Sequence, residues 1–208
     1  MTSRTDIEAL TSERLGQRLR ELRLASGMSL RALSRELGIS ASAVSQIERG
    51  MMRPSVSRLI AYVSAIGAPL AAVFDQPDAG ESLPDAMEAG GGPPVQGLAI
   101  RRAWEAAPIR LSGGVTFRML SPVPTSDVEF FESTYPPNAI SDAHGRFLKH
   151  EGYEVGTVTQ GELTVEFETE VVTLAEGDSI TFPCRRPHII GNRSGTVTAV
   201  ATWLIVHK

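Results

Sequence analysis

Leu30 to Arg49 reads Leu-Arg-Ala-Leu-Ser-Arg-Glu-Leu-Gly-Ile-Ser-Ala-Ser-Ala-Val-Ser-Gln-Ile-Glu-Arg. Leu30, Leu33 and Leu37 recur at helical spacing, Gly38 interrupts them, and Ser40 restarts a helix whose inner face carries Val44 and Ile47. Two short helices meeting at a tight turn need a small residue where they approach, a glycine in the turn and apolar residues beneath the second helix. Ser34, Gly38 and the Val44/Ile47 pair fill those positions. Upstream, Leu15, Leu19 and Leu22 continue the helical spacing, and downstream Leu59, Val63 and Ile66 do the same. Ser29, Ser40 and Ser55 are placed to cap helix starts, and Gly27, Gly50 and Gly67 sit where helices should stop. With a further segment at Pro69 to Phe74, residues 10–75 are expected to form an all-α domain of five helices.

Residues 76–97 are dominated by Pro, Gly and acids and hold too few apolar side chains to bury, which predicts a flexible linker. From 98 to 208 the pattern changes to short runs rich in Val, Thr, Phe and Ile. They span 114–120, 127–135, 154–159, 162–168, 170–174, 179–182, 188–190 and 196–206. Gln160-Gly161 and Glu176-Gly177 supply turn chemistry between them. The expected architecture is therefore multidomain α and β: a helical domain followed by a β-barrel or sandwich.

Of the 208 residues 42% are hydrophobic and 21% charged, and the single cysteine, Cys184, excludes an internal disulfide and thiolate zinc clusters. No apolar run reaches membrane-spanning length and the N-terminus lacks a signal-peptide core, so a cytoplasmic protein without membrane attachment is expected. The net charge of −4 divides unevenly: residues 1–76 carry +3, with ten Arg and no Lys, while residues 77–208 carry −7. A polyanion is tolerated by the N-terminal part only.

With Ser45-Gln46-Ile47-Glu48-Arg49-Gly50 and Arg53-Pro54-Ser55 closing the motif, the segment from Leu15 to Phe74 resembles the XRE family of helix-turn-helix DNA-binding domains. The second helix would then enter the major groove and bring Ala41, Ser42, Ser45 and Gln46 to base edges, Gln46 being able to pair with adenine through two hydrogen bonds. Ser29 and Ser40 would start the helices whose N–H groups favour phosphate, with Arg31, Arg49 and Arg53 as charged clamps. Arg49 has an alternative as a structural partner of Glu48 or Glu36. Met51 and Met52 depart from the polar or basic residues common after Gly50, which implies weaker phosphate contact or packing against a neighbour. The other reading of this domain is a helical bundle used for dimerisation.

The C-terminal half resembles the cupin superfamily through two motifs: Leu148-Lys149-His150-Glu151-Gly152-Tyr153-Glu154 followed by Gly161, and Gly177-Asp178, Pro183, Arg185, His188, Asn192. Leu148 replaces the first histidine of that pattern and Arg185 a common glycine. The resemblance implies a cupin-type β-barrel with His150, Glu154 and His188 as ligands for a divalent metal such as Fe, Zn, Mn or Ni, with Asp142 or His144 as a stand-in for the lost histidine. Two histidines and one carboxylate suit Fe(II) with open positions; lacking a fourth protein ligand, they do not suit structural zinc. The alternative is a relic site, with the histidines hydrogen-bonded and the barrel holding only an organic effector. Phe130, Tyr135, Leu148, Phe182 and Arg185 are the candidate effector-pocket residues, joined by Phe131, Phe167 and Trp203. Cys184, beside two arginines, is either a redox-sensitive thiol of lowered pKa or a plain buried one.

Chains that join these two domains resemble bacterial ligand-responsive transcriptional regulators. That implies a homodimer on a pseudo-palindromic operator, repressing in the commoner case, with a small-molecule effector in the barrel. Phosphonate oxygenases such as hydroxypropylphosphonate epoxidase are similar in architecture and in their iron ligands, and give the alternative function. Those enzymes use a helical-domain lysine on their substrate, and residues 1–76 contain none.

Overall fold

In the computed structural model, which describes residues 4–74, 98–123, 127–142 and 145–207, four α-helices precede nine β-strands. The helices are α1 (Arg4–Ala25), α2 (Leu30–Glu36), α3 (Ala41–Glu48) and α4 (Val56–Ala65). Ser29, Ser40 and Ser55 cap α2, α3 and α4 by accepting from the backbone N–H groups of Ala32, Ala43 and Arg58. Each such cap contributes about 1 kcal/mol. The expected fifth helix is a correction: Leu70–Val73 is a single 3-10 turn with no side-chain cap, because four residues after Pro69 cannot nucleate an α-helix. The expected linker at 76–97 lies outside the described residues.

Leu19, Leu33, Val44 and Leu59, one from each helix, are fully buried and form the centre of the helical core, each stabilising it by about 1.5–3 kcal/mol. Gly16 and Gly50 let α1 and α3 close to backbone contact; a Cβ at Gly16 would lie 2.5 Å from the Ile47 carbonyl oxygen.

The strands are β1 (Ile109–Arg110), β2 (Thr116–Met119), β3 (Val128–Tyr135), β4 (Tyr153–Gln160), β5 (Glu162–Phe167), β6 (Val171–Ala175), β7 (Ser179–Pro183), β8 (His188–Gly191) and β9 (Ala199–Val206). All pair antiparallel in two sheets, ordered β1-β2-β3-β9-β4-β7 and β6-β5-β8. Among the described residues no ladder joins their edges, so the barrel is an open two-sheet sandwich rather than a closed cylinder. β3 and β9 alternate buried and half-buried residues along their full length, the pattern of strands covering a core on one face.

The helical and β halves share one connected cluster of buried apolar residues. Backbone hydrogen bonds also cross between them: Ser57 N–H donates to the Ser141 carbonyl at 3.2 Å and Ser112 N–H to the Pro54 carbonyl at 2.9 Å. Leu70 N–H donates to the buried Glu129 carboxylate. The Ser57 bond matters because this amide lies in the first turn of α4, where no intrahelical acceptor exists. The β half therefore completes the cap of α4.

Candidate nucleic-acid interface and metal centre

α3 turns Val44, Ile47 and Glu48 inward and leaves Ser42 exposed, with Ala41, Ser45 and Gln46 half-exposed. The base-reading candidates thus share the outer face of one short helix. Arg31, on α2, and Arg49, which follows α3, are exposed, and the Arg49 Nε donates to the Ser45 carbonyl at 3.2 Å. Arg53 donates to the Ser12 hydroxyl at 2.8 Å, which fixes it against α1. Met51 and Met52 are exposed.

Glu48 is not paired with Arg49. Its carboxylate takes a two-pronged hydrogen bond from buried Arg23, Nε to Oε1 at 2.6 Å and Nη2 to Oε2 at 2.8 Å, and a third from the Tyr62 hydroxyl at 2.7 Å. Arg23 also donates to the Met28 carbonyl. Burial pushes the Glu48 carboxyl up, but the Arg23 and Tyr62 hydrogen bonds outweigh it and hold the group below the usual carboxylate range. One ionic knot therefore ties α1, α3 and α4 together and sets the attitude of the outer face of α3.

In the β half, His150 precedes β4, Glu154 lies on it and His188 opens β8. The three bring ligand atoms within 4.8 Å of one another. His150 Nε2 is 3.1 Å and His188 Nε2 3.7 Å from Glu154 Oε1, and all three side chains are at most 5% exposed. The other ring nitrogens are engaged by backbone: His150 Nδ1 with the Glu151 carbonyl at 3.0 Å and His188 Nδ1 with that of Arg186 at 2.9 Å. A neutral ring that donates Nδ1–H to its carbonyl carries a lone pair on Nε2, the form in which a histidine ligates a metal. Burial lowers the His188 pKa, with the neighbouring Glu154 opposing, and keeps the ring in the neutral form that binds metals. Among the described residues, Glu154 Oε2 and His188 Nε2 are buried without a hydrogen-bond partner. Two ring nitrogens and a carboxylate converging on one point, with Glu154 Oε2 and His188 Nε2 unsatisfied, fit a divalent cation.

Leu148, standing where the related pattern has a histidine, forms an antiparallel bridge with His188 and presents an apolar wall. Asp142 is buried with Arg146 3.9 Å away and is not part of the three-residue cluster, and His144 lies outside the described residues. A small cavity adjoins the cluster, with Tyr135, Leu148, Phe131 and Trp203 in its lining.

Of the expected pocket residues, Tyr135 and Leu148 line this cavity, and Phe130, Phe182 and Arg185 do not. Phe130 belongs to the opposite face of β3 from the cavity-lining Phe131, because neighbouring strand residues alternate sides. Phe182 packs edge-to-face on the His188 ring, centroids 4.9 Å apart, and does not line the cavity. Arg185 is exposed and paired with Glu151 on the surface. Cys184 is fully buried, and its thiol pKa is pushed up by burial and by Glu154, so the lowered-pKa reading does not hold. Sequence reasoning missed Val56 and Ile60, which reach this cavity from α4.

Two family models match the chain, a helix-turn-helix model over residues 19–73 and a cupin-domain model over residues 131–205. The chain thus matches a helix-turn-helix domain followed by a cupin domain. The HTH-type transcriptional regulator PuuR of Escherichia coli (strain K12) is 27% identical over 191 residues, covering 89% of this chain and 91% of that protein. The transcriptional regulator ClgR of Mycobacterium tuberculosis is 39% identical over 75 residues, 36% of this chain and 65% of its own length. The crystal structure of an HTH_3 family transcriptional regulator from Vibrio cholerae superposes with a TM-score of 0.65 at 20% identity, covering 97% of this chain and 99% of that one. The fold is thus matched along almost the whole chain.

Proposed function

We propose that the protein is a sequence-specific DNA-binding transcriptional regulator whose cupin domain senses a small molecule, a metal or both. The observation that carries this reading is the division of labour in α3. Its inner face is locked by Val44, Ile47 and the Arg23–Glu48–Tyr62 knot, while its outer face presents Ala41, Ser42, Ser45 and Gln46 without bulk that would block a groove. A rigidly held helix with short polar side chains outward suits base reading. Residues 10–75 are the DNA-binding unit, 76–97 the linker and 98–208 the sensing unit. A cytoplasmic homodimer would set two such helices about 34 Å apart on one face of a pseudo-palindromic duplex. Ser29, Ser40, Arg31, Arg49 and Arg53 would form the phosphate-facing rim, with Arg53 steadied by its hydrogen bond to Ser12.

His150, Glu154 and His188 would hold the divalent ion. When bound, the ion supplies open coordination positions to a donor atom of a ligand. The chain's own part is to fix both imidazole tautomers through the Glu151 and Arg186 carbonyls and to exclude water with apolar walls. No catalytic role is assigned. The same ligand set favours a second reading, an iron-dependent oxygenase, which oxygen consumption by the Fe(II)-loaded protein in the presence of a phosphonate would support.

The test of the recognition face is Ser42→Ala with Gln46→Ala. The double variant is expected to lose about 1–3 kcal/mol of discrimination per lost base contact while keeping its fold and weak, salt-sensitive binding. Unchanged operator preference contradicts the assignment.

A further inference from the structure

The cavity beside Glu154 and His188 is roofed by the DNA-binding domain. Val56 and Ile60, one turn apart on α4 and so on the same face, line it together with Phe117, Phe131 and Trp203 of the large sheet. Its volume is about 20 Å3, room for roughly one water or one ion and too little for an organic molecule. Anything larger must move a wall.

The walls differ in how firmly they are held. β3, β9 and β4 are paired residue by residue, so shifting any of them breaks a row of backbone hydrogen bonds. Among the described residues, α4 meets the cupin domain through side-chain packing and through Ser57, whose N–H and hydroxyl both donate to the Ser141 carbonyl. The Ser57 N–H is a first-turn amide, which water satisfies when the helix separates. α4 is also bound to α3 through the Tyr62–Glu48 hydrogen bond, so when it leaves the cavity the recognition helix goes with it.

We propose that the cavity takes a compact ligand with an apolar body and one polar head directed at Glu154 and His188, and that the ligand binds by expelling Val56 and Ile60. An occupied cavity and a docked helix-turn-helix domain then exclude each other. The apolar walls disfavour a molecule that is polar all round, while Glu154 Oε2 and His188 Nε2 are the polar lining atoms that lack a partner among the described residues. Because the ligand and the roof helix compete for one volume, the ligand shifts the domain arrangement by its differential affinity for the open and closed states. This inference rests on the cupin domain being the sensing unit.

The experiment fills the cavity by mutation in the full-length chain. Ser133 is buried in its lining and accepts from Trp203 Nε1 at 2.9 Å. Ser133→Ala removes that hydrogen bond without filling space; Ser133→Phe removes it and adds a ring larger than the free volume. Amide hydrogen exchange at Ser57 and Ser112, whose N–H groups bridge the two domains, is then compared. Relative to Ser133→Ala, the Phe variant is expected to exchange at least about tenfold faster at these two amides, with the β3–β9 ladder still protected. Equal protection in the two variants, or loosening of the ladder in place of α4, overturns the proposal. If Ser133→Phe does not fold, Ser133→Val supplies the same comparison, with a severalfold effect expected and equal protection again overturning it. DNA affinity of the unaltered protein is measured separately, so failure of the regulator reading shows there and leaves the exchange result standing.

Discussion

The outer face of α3, proposed to read bases, comes from four residues of one short stretch, Ala41, Ser42, Ser45 and Gln46, and is exposed or half-exposed, whereas the cupin cavity collects residues as distant as Val56 and Trp203 and is buried. A site of the first kind is written in local sequence, because helix spacing and caps decide which side chains face out. A site of the second kind depends on which strands become neighbours and on which side of each strand a residue falls. The ionic knot beneath α3 stands between these cases. It presents nothing to a ligand, yet it is nonlocal and buried, and it holds the local site in position.

The largest expected effect attacks that knot. Glu48→Ala leaves Arg23 buried without its carboxylate, a loss of about 3–5 kcal/mol for breaking one side of a buried pair. Calorimetry should show the helical transition moved to lower temperature or lost. If the cupin domain folds on its own, its transition should stay within a few degrees of its original position; a collapse of both transitions together would mean that the domains form one cooperative unit.

His150→Ala sharpens the comparison from the cupin side. Protein purified without a tag is expected to lose stoichiometric divalent metal, read by elemental analysis, while operator affinity measured without added metal is unchanged. Retained metal would show that the ligand set is wrong.

The spacing of Leu30, Leu33, Leu37, Val44 and Ile47 and the serines at the helix starts predicts α2 and α3 closely, because each signal acts within one or two turns. The β-runs at 127–135 and 162–168 likewise lie within a residue of β3 and β5 at either end. Pro69 to Phe74 misleads, since apolar spacing alone does not reveal that the segment is too short to close an α-helix. Phe130 and Phe131 are indistinguishable by composition, and only the pairing of β3 with β2 and β9 assigns one to the cavity. Arg23 was legible in principle: it follows Leu15 and Leu19 at four-residue intervals and so falls on the inner face of α1, where a charge needs a partner. Its partner, 25 positions away, was not. The roof formed by Val56 and Ile60 left no local trace at all, because α4 reads as an ordinary amphipathic helix.

The smallest effect is pH-dependent and concerns the contact between the halves. Buried Glu129, which accepts from Leu70 N–H, lies 3.8 Å from His207, with Asp127 also nearby. Glu129 raises the His207 pKa, burial opposing, so the pair's contribution is full below the ordinary histidine value of about 6.5 and is lost as pH rises through the raised value. The ring is about one-third exposed, so screening limits the effect to a fraction of 1 kcal/mol. His207→Ala should therefore lower stability at pH 6 and leave it unchanged at pH 9, as read by denaturant titration; equal losses at both values would assign the effect to packing.

The central claim, a recognition helix held rigidly for base reading, is tested most directly by titrating the purified protein against the intergenic DNA beside its own gene, with excess random duplex as competitor and at two salt concentrations. Binding that survives the competitor and weakens as salt increases is expected. Binding to that DNA no tighter than to the random duplex, at both salts, would contradict the claim.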